Sequence, residues 1–380
     1  MRLQLVIALV VIAMAGTARA DGELAVRGVY YKERATRVVQ PMLDGMFDAG
    51  TRGVVTAHFL VDAITSASAG SGANNATPFT ERRYEGGFGY THEFDGPTDS
   101  WLDKVRVGGD TKYSTESDYT SFYLGGHVDA DVAQKNAVLS LGGGVSSDTI
   151  TNAGAQSPMG GPQIQCDVTS TAMANECSLT SVFGTASASQ ILSKDALVAL
   201  AYDIAYLDGY QANPYRTVVT ASGLVPEVHP NSRLRHAITA SARYYVEATH
   251  TTLIGAYRYY RDDWHIQAHT PELRIVQEIG DLADAAIRVR YYRQTASYFY
   301  MERYPTLDTS KINYVTDDPK MSGYDGFTME AKLGFLGEEF GMSGNWAGAR
   351  FEGIIEYIIQ HNAFGNAVVA HVALTLPFSY

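Results

Sequence analysis

Residues 367–380 read Ala-Val-Val-Ala-His-Val-Ala-Leu-Thr-Leu-Pro-Phe-Ser-Tyr, which places Val368, Ala370, Val372, Leu374, Leu376, Phe378 and Tyr380 at every second position. Side chains at period two share one face of a strand, so the segment predicts a strand with an unbroken apolar face ending in aromatics. In a bilayer that face meets lipid, and the rings of Phe378 and Tyr380 sit at the water interface. Taken alone, the segment also fits a soluble sandwich whose last strand is amphipathic.

The other end of the chain favours the membrane. Met1 and Arg2 make a short basic start, residues 3–15 are nearly all apolar, and Ala18-Arg19-Ala20 is a small-x-small cleavage site before Asp21. Residues 1–20 are therefore expected to be a cleaved secretory signal peptide, leaving residues 21–380 as a single domain. No later stretch approaches the roughly 18 apolar residues that a spanning helix needs. Barrel strands need none, because they alternate faces and dilute the hydropathy. Export together with an apolar strand face points to a transmembrane β-barrel in contact with outer-membrane lipid. Leu374, Leu376, Phe378 and Tyr380 would then be the end that the barrel-assembly machinery reads.

Composition agrees with an all-β chain: 25 Tyr suit an aromatic girdle and 36 Gly suit tight turns. Loss of Arg2 and Arg19 leaves 27 basic residues against 41 acidic ones, a formal charge of −14, which disfavours nucleic acid as a partner. Cys166 and Cys177 lie close together in a Gly/Ser/Pro/Asn-rich stretch, where export permits a disulfide. As a loop staple the bond is worth on the order of 3 kcal/mol. Two thiolates alone are a poor zinc site, and a redox pair usually has only two intervening residues.

About 16 antiparallel strands can be laid along the mature chain. The alternative is 14, should residues 23–48, which contain Pro41, fold inward as a plug. Long turn-rich connections fall near 66–80, 149–177, 211–232 and 301–322, and short ones near 94–100, 133–135, 193–195, 248–249 and 280–282. With both termini in the periplasm, every long connection lies outside the cell, as one-sided barrel loops must. Residues 195–207 fit a strand through Val198, Leu200, Tyr202, Ile204 and Tyr206, and equally a helical stripe through Leu197, Leu200, Ala201, Ile204 and Leu207. Strands on both sides favour the strand.

Individual strands divide into two faces. Leu234, His236, Ile238, Ala240, Ala242, Tyr244 and Val246 alternate with Arg233, Arg235, Thr239, Ser241, Arg243, Tyr245 and Glu247. Ile287, Val289 and Tyr291 alternate with Arg288, Arg290 and Tyr292, and Val105, Val107 and Tyr113 stand against Lys104, Arg106, Asp110 and Lys112. A register slip would move charges to the lipid face at roughly 2–4 kcal/mol each near midplane. The lumen is therefore expected to carry Lys104, Arg106, Lys112, Arg233, Arg235, Arg243, Arg258, Arg288, Arg290 and Arg350 beside Asp110, Asp129, Asp131, Asp203, Glu247, Glu352 and Glu356. Such a wall either encloses a water-filled pore or holds itself together by ion pairs.

Chemistry is sparse. His265 and His269, near Asp262 and Asp263, are four apart, which along a strand spans roughly 13 Å, too far for one metal ion. Asp317, Asp318 and Asp325 could attract calcium, but they also suit a solvated loop. No Gly-x-Ser-x-Gly elbow occurs, and Gly142-Gly143-Gly144 precedes no Lys-Ser pair. Catalytic residues, metal and cofactor are all expected to be none.

Residues 257–264 (Tyr-Arg-Tyr-Tyr-Arg-Asp-Asp-Trp), then Ala268-His269-Thr270 and Arg290-Tyr291-Tyr292-Arg293-Gln294, resemble a Gram-negative outer-membrane β-barrel family catalogued as domain of unknown function 3570. Residues 61–68, Asn213-Pro214-Tyr215-Arg216 and Pro226-Glu227-Val228-His229-Pro230 look like its other blocks. His265 stands where the family pattern has a small residue, a further argument against a metal there. The resemblance implies an outer-membrane barrel; it attaches no catalytic role to these blocks and supplies no substrate. The first expectation is a porin-like channel for small solutes, with the Arg excess after Arg233 favouring anions. The second is a non-conducting scaffold for a periplasmic or surface partner. A redox partner is suggested by family genes that lie near a thioredoxin-like protein and a flavin transferase. An outer-membrane hydrolase is a third, weaker reading, and no oligomeric state is implied.

Overall fold

The computed structural model describes residues 21–34, 36–66, 79–98, 100–151, 163–167, 169–170, 172–308 and 310–379. The expected signal peptide, parts of two long connections and Tyr380 lie outside them. Nine strands come first: β1 Gly22–Lys32, β2 Thr36–Ala49, β3 Gly53–Ser66, β4 Phe79–Asp95, β5 Leu102–Thr115, β6 Tyr119–Val132, β7 Ala137–Thr151, β8 Glu176–Ser193 and β9 Ala196–Gly209. A small hairpin follows, β10 Thr217–Thr220 and β11 Gly223–Pro226. Seven more strands complete the chain: β12 Ser232–Val246, β13 Thr251–Asp262, β14 Gln267–Ile279, β15 Ala283–Gln294, β16 Tyr324–Leu336, β17 Arg350–Gln360 and β18 Ala367–Phe378. β1–β9 and β12–β18 form one closed antiparallel barrel of sixteen strands, with β1 paired to β18.

Residues 23–48 are thus wall, and Pro41 shows how. It pairs with Gly28 across the β1 ladder, whereas the β2–β3 ladder breaks between the pairs Val39–Ala63 and Met42–Leu60. The missing N–H is confined to that gap. Pro271 makes the same gap between β14 and β15. Residues 195–207 are strand, paired along their length with β8 and β12.

The connections 67–78, 152–175, 210–231 and 295–323 all leave from one end of the barrel. At the other end the turns are short except for residues 337–349, which wind through two 3-10 turns that the sequence pattern does not mark. The lumenal face is identified by ion pairs between strands two apart: Arg288 on β15 reaches Glu356 on β17 at 3.2 Å, and Arg274 on β14 reaches Glu330 on β16 at 3.8 Å. Side chains that skip a strand converge only on the concave side of a curved wall. The opposite face is apolar, with Val372 66 % and Ile287 62 % exposed, as a lipid-facing surface requires.

Candidate functional site: the lumen and its mouth

Lys104, Arg106, Asp110 and Lys112 on β5, Asp129 and Asp131 on β6, and Arg233, Arg235 and Arg243 on β12 occupy the concave parity of their strands. So do Arg258 on β13, Arg288 and Arg290 on β15, and Arg350, Glu352 and Glu356 on β17. Geometry then splits the basic residues into two groups. Lys104 is bound to Glu93, Arg106 to Asp131 through two bonds of 2.6 and 2.9 Å, and Arg233 to Asp262 at 2.5 Å. Arg288 is held by Glu330 at 2.5 Å, Glu356 at 3.2 Å and Glu272 at 3.5 Å, and Arg350 by Asp284 and Glu352. These guanidiniums are ion-paired within the wall, one of the two arrangements that the sequence left open. Among the described residues, Lys112, Arg235, Arg243, Arg258 and Arg290 have no carboxylate within 4.0 Å.

Two of the unpaired guanidiniums, Arg235 and Arg258, line a cavity of about 480 Å³. Tyr260, Asp203, Thr185, Phe183, Tyr123, His127 and Asp110 also line it. Gly142, which pairs with Thr185 and shares its lumenal face, leaves room here because it carries no side chain. Tyr123 lies across the backbone of Gly125 and Gly144, where a Cβ would collide with its ring. Its ring stands 6.4 Å from that of Phe183. Asp203 accepts a hydrogen bond from the Thr185 hydroxyl at 3.0 Å, and Arg258 lies 5.8 Å from the Tyr260 ring centroid. Tyr123 and His127 share the odd parity of Asp129 and Asp131, so extending that alternation along β6 would have found them. Phe183 carries no such signal, since aromatic residues are expected on the lipid side.

At the end of the barrel from which they leave, two of the long connections knit into a cap. Val228 and Val315 exchange backbone hydrogen bonds of 2.8 and 3.0 Å, and Val218, Tyr304 and Val315 form a small buried core. Beside it Arg216 reaches Asp318 at 3.5 Å, Asp317 at 3.7 Å and Glu227 at 3.8 Å. Glu227 also accepts the Thr316 hydroxyl and faces His229 at 3.2 Å. Burial works against ionisation of Glu227, but His229, Arg216 and Thr316 outweigh it and hold the carboxyl below its ordinary value. Burial raises Asp317, with Arg216 opposing. The cap rests on Trp264, 2 % exposed at the β13–β14 turn, whose indole stacks edge-on with His229 and Phe299 and beneath the Arg233 guanidinium at 4.1 Å.

Asp317 and Asp318 therefore serve as counter-ions to Arg216, while Asp325 faces His361 at 3.1 Å. His265 lies in the turn and stacks on Tyr298, whereas the His269 ring bonds the Tyr257 hydroxyl at 2.6 Å, so the two imidazoles have separate surroundings. Cys166 and Cys177 are disulfide-bonded. Cys177 is the second residue of β8 and buried, a correction to its expected place in an exposed loop. Asn231 donates to the Cys166 carbonyl at 2.8 Å, which ties this connection to the cap. Glu81, Glu116 and Asp118 gather at the same rim, where burial, then Glu81 and Asp118, push the Glu116 carboxyl up to about 7.

A closed antiparallel barrel of sixteen strands with an apolar outer face and a charged interior defines the class: a β-barrel of the transmembrane type. The family described as "Protein of unknown function (DUF3570)" matches residues 7–352, and the chain belongs to that family. No curated protein matches the chain. Among solved structures, it is similar to a bacterial polysaccharide outer membrane secretin at 7 % identity and TM-score 0.49, over 95 % of this chain and 99 % of that one. It is also similar to the outer membrane protein OprD from Pseudomonas aeruginosa at 8 % identity and TM-score 0.46, over 95 % and 94 % of the two chains. A BenF-like porin from Pseudomonas fluorescens matches at 9 % identity and TM-score 0.43, over 95 % and 99 %.

Proposed function

We propose that the barrel is a channel for small solutes carrying an anionic group. The observation that carries this reading is the unpaired state of Arg235 and Arg258 at a cavity of about 480 Å³, in a lumen where Arg106, Arg233 and Arg288 are neutralised by carboxylates. A wall built only for stiffness gains nothing from guanidiniums without partners, because each one costs desolvation that no ion pair returns. Positive charge in a narrow, poorly screened passage attracts anions. The cap supports a second reading, a closed barrel that serves as a scaffold, because its two connections bury a core of their own at that end of the barrel.

Swelling of proteoliposomes separates the two. In isotonic sodium acetate the vesicles are expected to swell faster than in isotonic ethylammonium chloride, whose cation is similar in size. Equal rates would remove the anion preference. Failure to swell in either salt would favour the scaffold.

A further inference from the structure

Arg235 on β12 and Asp203 on β9 sit diagonally across one ladder, since Arg235 pairs with Ala205 and Asp203 with Ala237. Diagonal neighbours in an antiparallel ladder have Cα atoms about 7–8 Å apart. An Arg and an Asp so placed are within reach of one another, yet no ion pair joins them among the described residues. The Nε of Arg235 is buried without an acceptor, and no described carboxylate bonds its other nitrogens. Several lumenal arginines have a bare Nε, but Arg274 and Arg288 hold carboxylates through their terminal nitrogens. Among the described residues, Asp203 has only the Thr185 hydroxyl as a hydrogen-bond partner, at 3.0 Å. The cavity thus presents a cationic pole, Arg235 with Arg258, next to an anionic one, and an aromatic wall of Phe183 and Tyr123 beyond them.

We infer that this cavity binds a zwitterionic solute of the α-amino-acid type. Its carboxylate lies against Arg235 and Arg258, its ammonium against Asp203, and its apolar side chain against Phe183 and Tyr123. A simple carboxylate would leave Asp203 beside it uncompensated, and a simple amine would leave two guanidiniums bare. Only a ligand with both poles on adjacent atoms satisfies both strands at once. The inference rests on the channel reading for the route to the site, but binding itself does not require conduction.

The test uses three probes that differ by one pole: L-phenylalanine, 3-phenylpropanoate and 2-phenylethylammonium. Each is titrated calorimetrically into the purified barrel in detergent, and channel current is recorded in parallel. A charge-assisted hydrogen bond is worth enough that the amino acid is expected to bind about tenfold or more tighter than either one-pole probe. Asp203→Asn should erase its advantage over 3-phenylpropanoate, and Arg235→Gln with Arg258→Gln its advantage over the amine. The wild-type ranking decides the matter even if a variant fails to fold. The zwitterion site is overturned if 3-phenylpropanoate binds as tightly as L-phenylalanine, or if none of the three binds. Binding without current would retain the site and reject the channel. Current without binding would do the reverse.

Discussion

Arg288 and Arg290 stand two residues apart on the same face of β15, and strand parity makes them equivalent. Their neighbours do not. Arg288 meets Glu272, Glu330 and Glu356 from β14, β16 and β17, whereas Arg290 meets no carboxylate within 4.0 Å among the described residues. Removing the guanidinium from between three carboxylates, of which Glu330 is buried, leaves them repelling one another, at a cost of roughly 3 kcal/mol. Arg288→Met is therefore expected to lower the temperature at which the folded barrel converts to the slower, unfolded gel band, and Arg290→Gln to leave it unchanged. Equal shifts in the two variants would mean that the carboxylate cluster does not brace the wall. Which inward charge is structural and which is free depends on strands up to two places away around the barrel, and no local pattern in β15 contains that information.

At the scale of the strand, much was legible. Period-two alternation around Arg288 and around Arg233 predicted which face meets lipid, because hydrocarbon tolerates only one register. Ile287 is the sharpest check, lying near the middle of β15 and 62 % exposed. Ile287→Arg should cost roughly 2–4 kcal/mol if that face meets hydrocarbon and should reduce the yield of folded barrel in outer-membrane fractions. Normal yield from Ile287→Arg would invert the face assignment. Pro41 was ambiguous for a physical reason: a proline is tolerated in a sheet where its partner ladder can open, and the sequence does not show that the β2–β3 ladder does so. The hairpin β10–β11 escaped notice because its strands are four residues each, short enough to read as turn-rich loop. Residues 337–349 escaped it because they interrupt a parity that the other turns obey.

For the whole molecule, the cap joins two connections that are far apart in the chain. Its ionic centre joins residues 216 and 227 to residues 317 and 318, nearly a hundred positions away, so sequence spacing could not reveal it. The carboxyl of Glu227, whose value is lowered in the folded cap, stabilises the cap above the ordinary glutamate value of about 4.3. That contribution is lost as pH falls through the lowered value. Asp317, raised by burial, acts in the opposite sense and blunts the effect. Acidification below about pH 4 should therefore loosen the cap and uncover Trp264, shifting the tryptophan emission to the red. Glu227→Gln should show the shifted emission already at neutral pH. An emission maximum that moves in neither case would contradict the assigned role of Glu227. Trp101 and Trp346 are already 70 % and 50 % exposed, so the change reports on Trp264.

The central claim is that the unpaired guanidiniums make the lumen an anion-favouring passage. Single-channel recording of the purified barrel in a planar bilayer, under a salt gradient, measures this directly. The wild type is expected to pass current with a reversal potential on the anion side, and Arg235→Glu with Arg258→Glu to move it toward cations. A folded wild-type barrel that passes no current, or a reversal potential unmoved when both charges are reversed, would contradict the account.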